Sequence, residues 1–224
     1  MGQAIGDILP SAIGVALSPV PIIAVILMLG TPKARSNGPA FAAGWVLGLV
    51  VVSVVVLLVA GDADDADSGT STAVSWITLL LGALFLVMAV GQWRKRPAPG
   101  TEAAMPSWMS AIDSFAPGKS FLLGAALSGI NPKNLALTLA AAGSIAKAGL
   151  DAGGSAVAIA VFVVLGSLTV AGPVVVYLVA SERATRSLSS IKDFMAAHNA
   201  VIMMVVLLVL GAKLIGSGIG GLTD

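Results

Sequence analysis

The sequence has no cysteine, which excludes disulfide scaffolds, cysteine-ligated metal sites and thiol redox chemistry. Charge is scarce: 12 basic and 11 acidic residues make only 10% of the chain, where an ordinary soluble domain has about 25%. The net charge of +1 gives no general attraction for polyanions, so no nucleic-acid partner is expected. A single histidine leaves no His-Glu-x-x-His pair and no second imidazole, so neither a metal nor a cofactor is expected. There is no Gly-x-x-x-x-Gly-Lys-Ser/Thr phosphate loop and no nucleophile elbow. ATP hydrolysis is excluded, and the chain is not expected to be an enzyme. What it has instead is apolar surface. Hydrophobic residues make up 57% of it and the mean hydropathy is +1.00. So few charges cannot coat a water-soluble globule of 224 residues.

A spanning helix needs roughly 20 apolar residues. Six stretches qualify: Ile8–Leu29, Pro39–Ala60, Ala73–Trp93, Ser120–Ala142, Gly154–Ala180 and His198–Ser217. Barrel strands would alternate apolar and polar residues, but Leu47–Ala60 is almost uniformly apolar. The expected fold is therefore an all-α integral membrane protein with six transmembrane helices. The first charge is Asp7, so a cleaved signal peptide with its positive start is not expected, and Gly6 stands where a myristoylation signal wants Ser or Thr.

Basic residues concentrate in alternate loops: Lys33 and Arg35, then Arg94, Lys95, Arg96 and Lys119, then Arg183, Arg186 and Lys192. The second loop carries Asp62, Asp64, Asp65 and Asp67, and the fourth only Lys147 beside Asp151. The positive-inside rule places the basic loops in the cytoplasm and both termini outside a cytoplasmic membrane. Trp76 and Trp93 mark opposite ends of the third helix, as an aromatic belt would. Trp108, Met109, Ile112 and Phe115 recur at helical spacing, as do Leu188, Ile191, Phe194 and Met195. Each set reads either as a short helix lying on the inner leaflet or as a loop helix packed on the bundle. The Asp62–Asp67 run is a solvated outer loop rather than a calcium site, and His198 reads as interfacial rather than as a ligand.

A weak internal echo runs through the chain. Gly14-Val15-Ala16-Leu17-Ser18 matches Gly124-Ala125-Ala126-Leu127-Ser128, Val46-Leu47-Gly48 matches Val164-Leu165-Gly166, and Leu81-Gly82-Ala83 matches Leu210-Gly211-Ala212. The matches keep their order, with spacing that grows as loops lengthen. They divide the chain into a first three-helix repeat (1–96), a linker (97–118) carrying an interfacial helix, and a second repeat (119–224), all within one membrane domain. Three helices per half is odd, so the halves enter the membrane from opposite sides, the inverted-repeat plan of many secondary transporters.

Such transporters place their site where equivalent helices are broken. The first helix breaks at Ser18-Pro19-Val20-Pro21 and the fourth at Ser128-Gly129-Ile130-Asn131-Pro132-Lys133-Asn134. Proline removes a backbone donor and clashes with the preceding turn. The freed carbonyls cannot face lipid and must be met by protein or water. Lys133, flanked by Asn131 and Asn134, lies about halfway along its helix, where a lysine costs about 2.5–3.5 kcal/mol to insert. No carboxylate lies deep in any helix to pair with it. The candidate substrate pathway is therefore Ser18, Pro19, Pro21, Ser128, Asn131, Pro132, Lys133 and Asn134. Ser18 and Ser128 have no base other than Lys133, and a serine–lysine dyad is set aside. Gly14, Gly44, Gly48 and Gly124 are expected at helix contacts, with Gly44-x-x-x-Gly48 serving either internal packing or a dimer. Gly172-Pro173 gives the fifth helix a kink or a hinge.

With Ser18-Pro19-x-Pro21 and Asn131-Pro132-Lys133-Asn134 on six helices arranged three plus three, the chain resembles the LysE superfamily of exporters. Within it the chain is most similar to the Sap/GAP group, named for addressing sulfolipid and glycopeptidolipid to the mycobacterial surface. The similarity spans essentially the whole chain. It implies a cytoplasmic-membrane protein that helps export a cell-envelope lipid or a small solute, with Pro19, Pro21, Asn131, Pro132 and Lys133 at the core of the pathway. The superfamily's disulfide-electron carriers place cysteines in the first and fourth helices, and their absence here excludes that activity. Implied partners are membrane lipids and a lipid or small-molecule substrate, with a second copy or a lipid-export machine as assembly partner. An accessory role in such a machine, without transport by the chain alone, is the alternative.

Overall fold

The computed structural model describes residues 1–61, 69–94, 96 and 107–223. Among them all regular structure is helical. The α-helices are α1 (Gly2–Ala16), α2 (Pro19–Leu29), α3 (Ala34–Gly61), α4 (Gly69–Arg94), α5 (Pro117–Gly129), α6 (Pro132–Lys147) and α7 (Ala152–Thr223). A 3-10 helix, Ser107–Ser114, precedes α5. Prolines start α2, α5 and α6, where the fixed φ suits the first turn and the missing N–H has no intrahelical partner to lose. Gly149 adopts φ 59, a left-handed conformation just past α6. Asp151 Oδ1 then accepts the Gly154 N–H at 2.8 Å to cap α7.

Four helices are long and apolar enough to cross a membrane: Ala34–Val59, Ser75–Arg94, Ala152–Ala180 and Ser187–Thr223. The pair Gly2–Ala16 and Pro19–Leu29, bent by 51°, makes a fifth as a broken span. Exposed apolar side chains agree with lipid as the solvent: Val179 is 83% and Val87 69% exposed, which water would not tolerate over so many residues.

The six expected spans are corrected in two places. The fourth, Ser120–Ala142, is two short helices of 13 and 16 residues, neither long enough to span alone. Pro132 and the polar run from Asn131 to Asn134 separate them. The fifth and sixth are joined in one helix of 72 residues. Residues 181–197 contain neither proline nor glycine, so nothing in the backbone stops the helix there. Pro173 also stays inside it. The acidic run Asp62–Asp67 lies outside the described residues.

The chain forms two compact units, each drawing on both halves of the sequence. The first comprises Met1–Ala60 and Ala103–Ala196, the second Gly61–Glu102 and Ala197–Asp224. In the first unit α1 packs on α6. Ile8, Val15, Phe41, Trp45, Leu137 and Phe162 form its buried core. Helix α3 crosses α5 at backbone distance: a Cβ on Gly124 would collide with the Phe41 carbonyl, and one on Gly44 with the Phe121 carbonyl. Only glycine permits this approach. Met109 and Ile112 are buried, and the 3-10 helix packs on α2, so this amphipathic segment joins the bundle. Of the second segment, Leu188 is buried while Ile191 and Phe194 are exposed.

In the second unit α4 and the end of α7 pack antiparallel through small residues. A Cβ on Gly82 would lie 2.9 Å from Ile215 N and 3.0 Å from Gly211 O, and one on Gly218 would lie 3.0 Å from both Leu79 N and Ser75 O.

Candidate functional site

The site grows from two helix breaks in the first unit. In an unbroken helix the N–H groups of residues 19 and 21 would bond the carbonyls of Val15 and Leu17. Both positions are proline, so both acceptors are freed. Leu17 leaves the helix at φ −82, ψ 50, and Ser18 is extended at φ −103, ψ 99. Side chains then meet three successive carbonyls. Ser18 Oγ lies 2.6 Å from Val15 O, Thr169 Oγ1 of α7 donates to Ala16 O at 2.6 Å, and Lys133 Nζ of α6 lies 3.5 Å from Leu17 O.

The second break repeats the logic. The Ile130 and Asn131 N–H groups both bond Ala126 O, at 2.9 and 3.1 Å. This skips Leu127 O, which instead accepts from Asn134 Nδ2 at 2.8 Å. Asn131 Oδ1 accepts the Lys133 N–H at 3.1 Å and caps α6. Ser128 Oγ bonds Ala125 O at 3.1 Å, as Ser18 bonds Val15 O.

The two breaks join through one hydroxyl. Lys133 Nζ donates to Ser18 Oγ at 2.6 Å, and Ser18 Oγ lies 2.9 Å from Asn134 Oδ1. Serine has one proton to donate, so Val15 O and Asn134 Oδ1 compete for it: the hydroxyl points either along its own helix or across to α6. Ser18, Lys133 and Asn134 are all buried, Lys133 being 5% exposed. No carboxylate pairs with this ammonium among the described residues.

The structure brings together Ser18, Lys133 and Asn134, with Pro19 and Pro21 as the cause of the first break. It does not bring in Asn131, which stays on its own helix end, nor Pro132, which is exposed. Ser128 turns toward α3, where a Cβ on Gly48 would collide with its Oγ. Gly14 is buried in α1.

Sequence reasoning missed four polar residues. Thr169 caps the first break, and its own carbonyl is the one Pro173 frees; the signal was a threonine four residues before a helical proline. Thr138, one turn after Asn134, bonds the Asn134 carbonyl at 2.9 Å. Ser53 and Ser167 are buried, and their hydroxyls have no hydrogen-bond partner. Each follows a residue packed against a break helix: Val52 lies within 3.5 Å of a Cβ at Gly129, and Gly166 abuts Val15. Polar side chains of α6 and α7 thus meet Ser18 and the freed carbonyls at the first break.

The family model for Sap, sulfolipid-1-addressing protein, matches residues 8–220. The chain belongs to this family. The match covers both helix breaks and both compact units of the Sap-family chain. No curated protein and no solved structure matches it.

Proposed function

We propose that this Sap-family protein is a cytoplasmic-membrane transporter that exports an anionic cell-envelope lipid or its precursor. The family's name ties its members to addressing a sulfolipid. The observation that carries the reading is the buried Lys133–Ser18–Asn134 junction, which ties two broken helices together at an ammonium with no carboxylate. An ammonium has three donors, and the contact to Leu17 O at 3.5 Å is a weak one. When the breaks part, that donor can turn to an anionic oxygen of the cargo. A sulfate, phosphate or carboxylate fits this chemistry.

Alternating access requires two related halves, and several contacts support an inverted repeat. Ser18 on Val15 O pairs with Ser128 on Ala125 O. Gly48 abuts Ala125 as Gly166 abuts Val15, and the matched glycines Gly82 and Gly211 face each other. Each relation follows the sequence echo, and reciprocal contacts are what a two-fold between halves generates. In this reading basic loops face the cytoplasm and both termini lie outside.

The test is purified protein in liposomes with a fluorescent sulfated glycolipid in one leaflet. Faster transbilayer movement than in protein-free liposomes, abolished by Ser18→Ala with Lys133→Ala, supports export. No movement by the protein alone overturns the transporter reading in favour of an accessory role.

A further inference from the structure

A cavity of about 220 Å³ lies in the first unit at the other end of α2 from the junction, about 16 Å away at 1.5 Å per residue. Its apolar wall includes Ile26 and Leu29 of α2 and Leu188 of α7; Asp113, Tyr177, Ser189 and Lys192 supply its polar groups. It therefore sits where the two amphipathic segments meet α2. Asp113 comes from the 3-10 helix, and Lys192 from the second turn of the apolar span Ser187–Thr223 of α7. Tyr177 stands near the end of the span Ala152–Ala180, the level at which amphipathic rings meet the membrane–water boundary. Neither helix break contributes to it.

We propose that this cavity holds the headgroup of a zwitterionic aminophospholipid, its phosphodiester on Lys192 and its primary amine on Asp113. The charges select the ligand. A purely anionic headgroup meets the Asp113 carboxylate, and a purely cationic one meets Lys192. A zwitterion offers a partner of opposite charge to each. Lys192 already shares its charge with Asp193 at 3.2 Å, whose side chain is 67% exposed, so Asp193 can turn to water when a phosphate arrives. Size excludes a whole lipid: pockets that enclose drug-sized molecules run to about 300–1,000 Å³. The acyl chains must stay outside, where Ile191 and Phe194, 43% and 53% exposed, offer apolar surface on the same stretch of α7.

This inference does not depend on export, since a chain that binds the lipid without moving cargo would carry the same site. Full-length protein in mild detergent is mixed with phosphatidylethanolamine or phosphatidylglycerol of matched chains, and adducts are counted by native mass spectrometry. Phosphatidylethanolamine adducts are expected at several-fold the level of phosphatidylglycerol. Asp113→Asn should lower the former to the level of the latter, and Lys192→Ala should lower both. Equal binding of the two lipids by the unaltered protein, or an unchanged ratio in Asp113→Asn, overturns the proposal. Displacement of the lipid by equimolar phosphoethanolamine overturns the lipid as source and assigns the pocket to a free zwitterion. Asp113 is exposed and Lys192 half-buried, so both variants fold; their elution on size exclusion checks this.

Discussion

Replacing Lys133 by methionine separates a structural role for the ammonium from a role in transport. The side chain keeps its length and loses its charge. Leu17 O loses its donor, now at 3.5 Å, and a buried acceptor left unmet costs about 1–3 kcal/mol. Ser18 loses the donor at 2.6 Å but keeps its own proton for either Val15 O or Asn134 Oδ1. Against this, the variant removes an ammonium buried without a carboxylate among the described residues; the nearest guide is the insertion cost of a lysine in a membrane helix, about 2.5–3.5 kcal/mol. The two ranges overlap, with the second centred higher. Lys133→Met is therefore expected to lie between about 0.5 kcal/mol less stable and about 2.5 kcal/mol more stable than the natural chain, a Tm from about 2 °C lower to about 10 °C higher at about 2–4 °C per kcal/mol. Lipid movement in the liposome assay should fall about tenfold or more, at least about 1.4 kcal/mol of lost transition-state stabilisation. Thermal unfolding in one detergent and transport from the same preparation give both numbers. A Tm lowered by more than about 5 °C, with transport falling only in proportion to folded protein, would show that Lys133 is a helix cap and nothing more.

Thr169→Val strips the donor from Ala16 O and should cost about 1–3 kcal/mol, while Thr169→Ser keeps the bond at 2.6 Å and should melt near the natural chain. Gly124→Ala sets a methyl against the Phe41 carbonyl where α3 and α5 meet at backbone distance; the overpacking should cost about 1–3 kcal/mol in the same melts. Lys147→Cys should react with a membrane-impermeant maleimide in intact cells and Lys33→Cys only after permeabilisation, and the reverse pattern would invert the assigned orientation.

The two breaks were legible because their cause is covalent. Pro19, Pro21 and Pro132 lack an N–H whatever surrounds them, and α1, α2, α5 and α6 end or begin at those residues. The joining of the last two spans into α7 was less legible: the basic residues of 181–197 marked a connection carrying a separate short amphipathic helix, but no residue there forbids a continuous one. Gly44 and Gly48 announced a close contact without naming the partner, which is α5. Thr169 carried no sign of its bond to Ala16 O because the two lie 153 residues apart.

Sequence by itself determined the solvent, the helical class and the two places where backbone hydrogen bonding must fail, since hydropathy and missing donors are properties of single residues and short windows. Tertiary structure alone decided which groups answer those failures: that Lys133 and Asn134 converge on one serine hydroxyl, that Thr169 reaches the carbonyl beside them, and that Asp113 and Lys192 share a cavity. Those pairings depend on how helices distant in sequence cross, and many side-chain sets of similar polarity would satisfy the same local pattern.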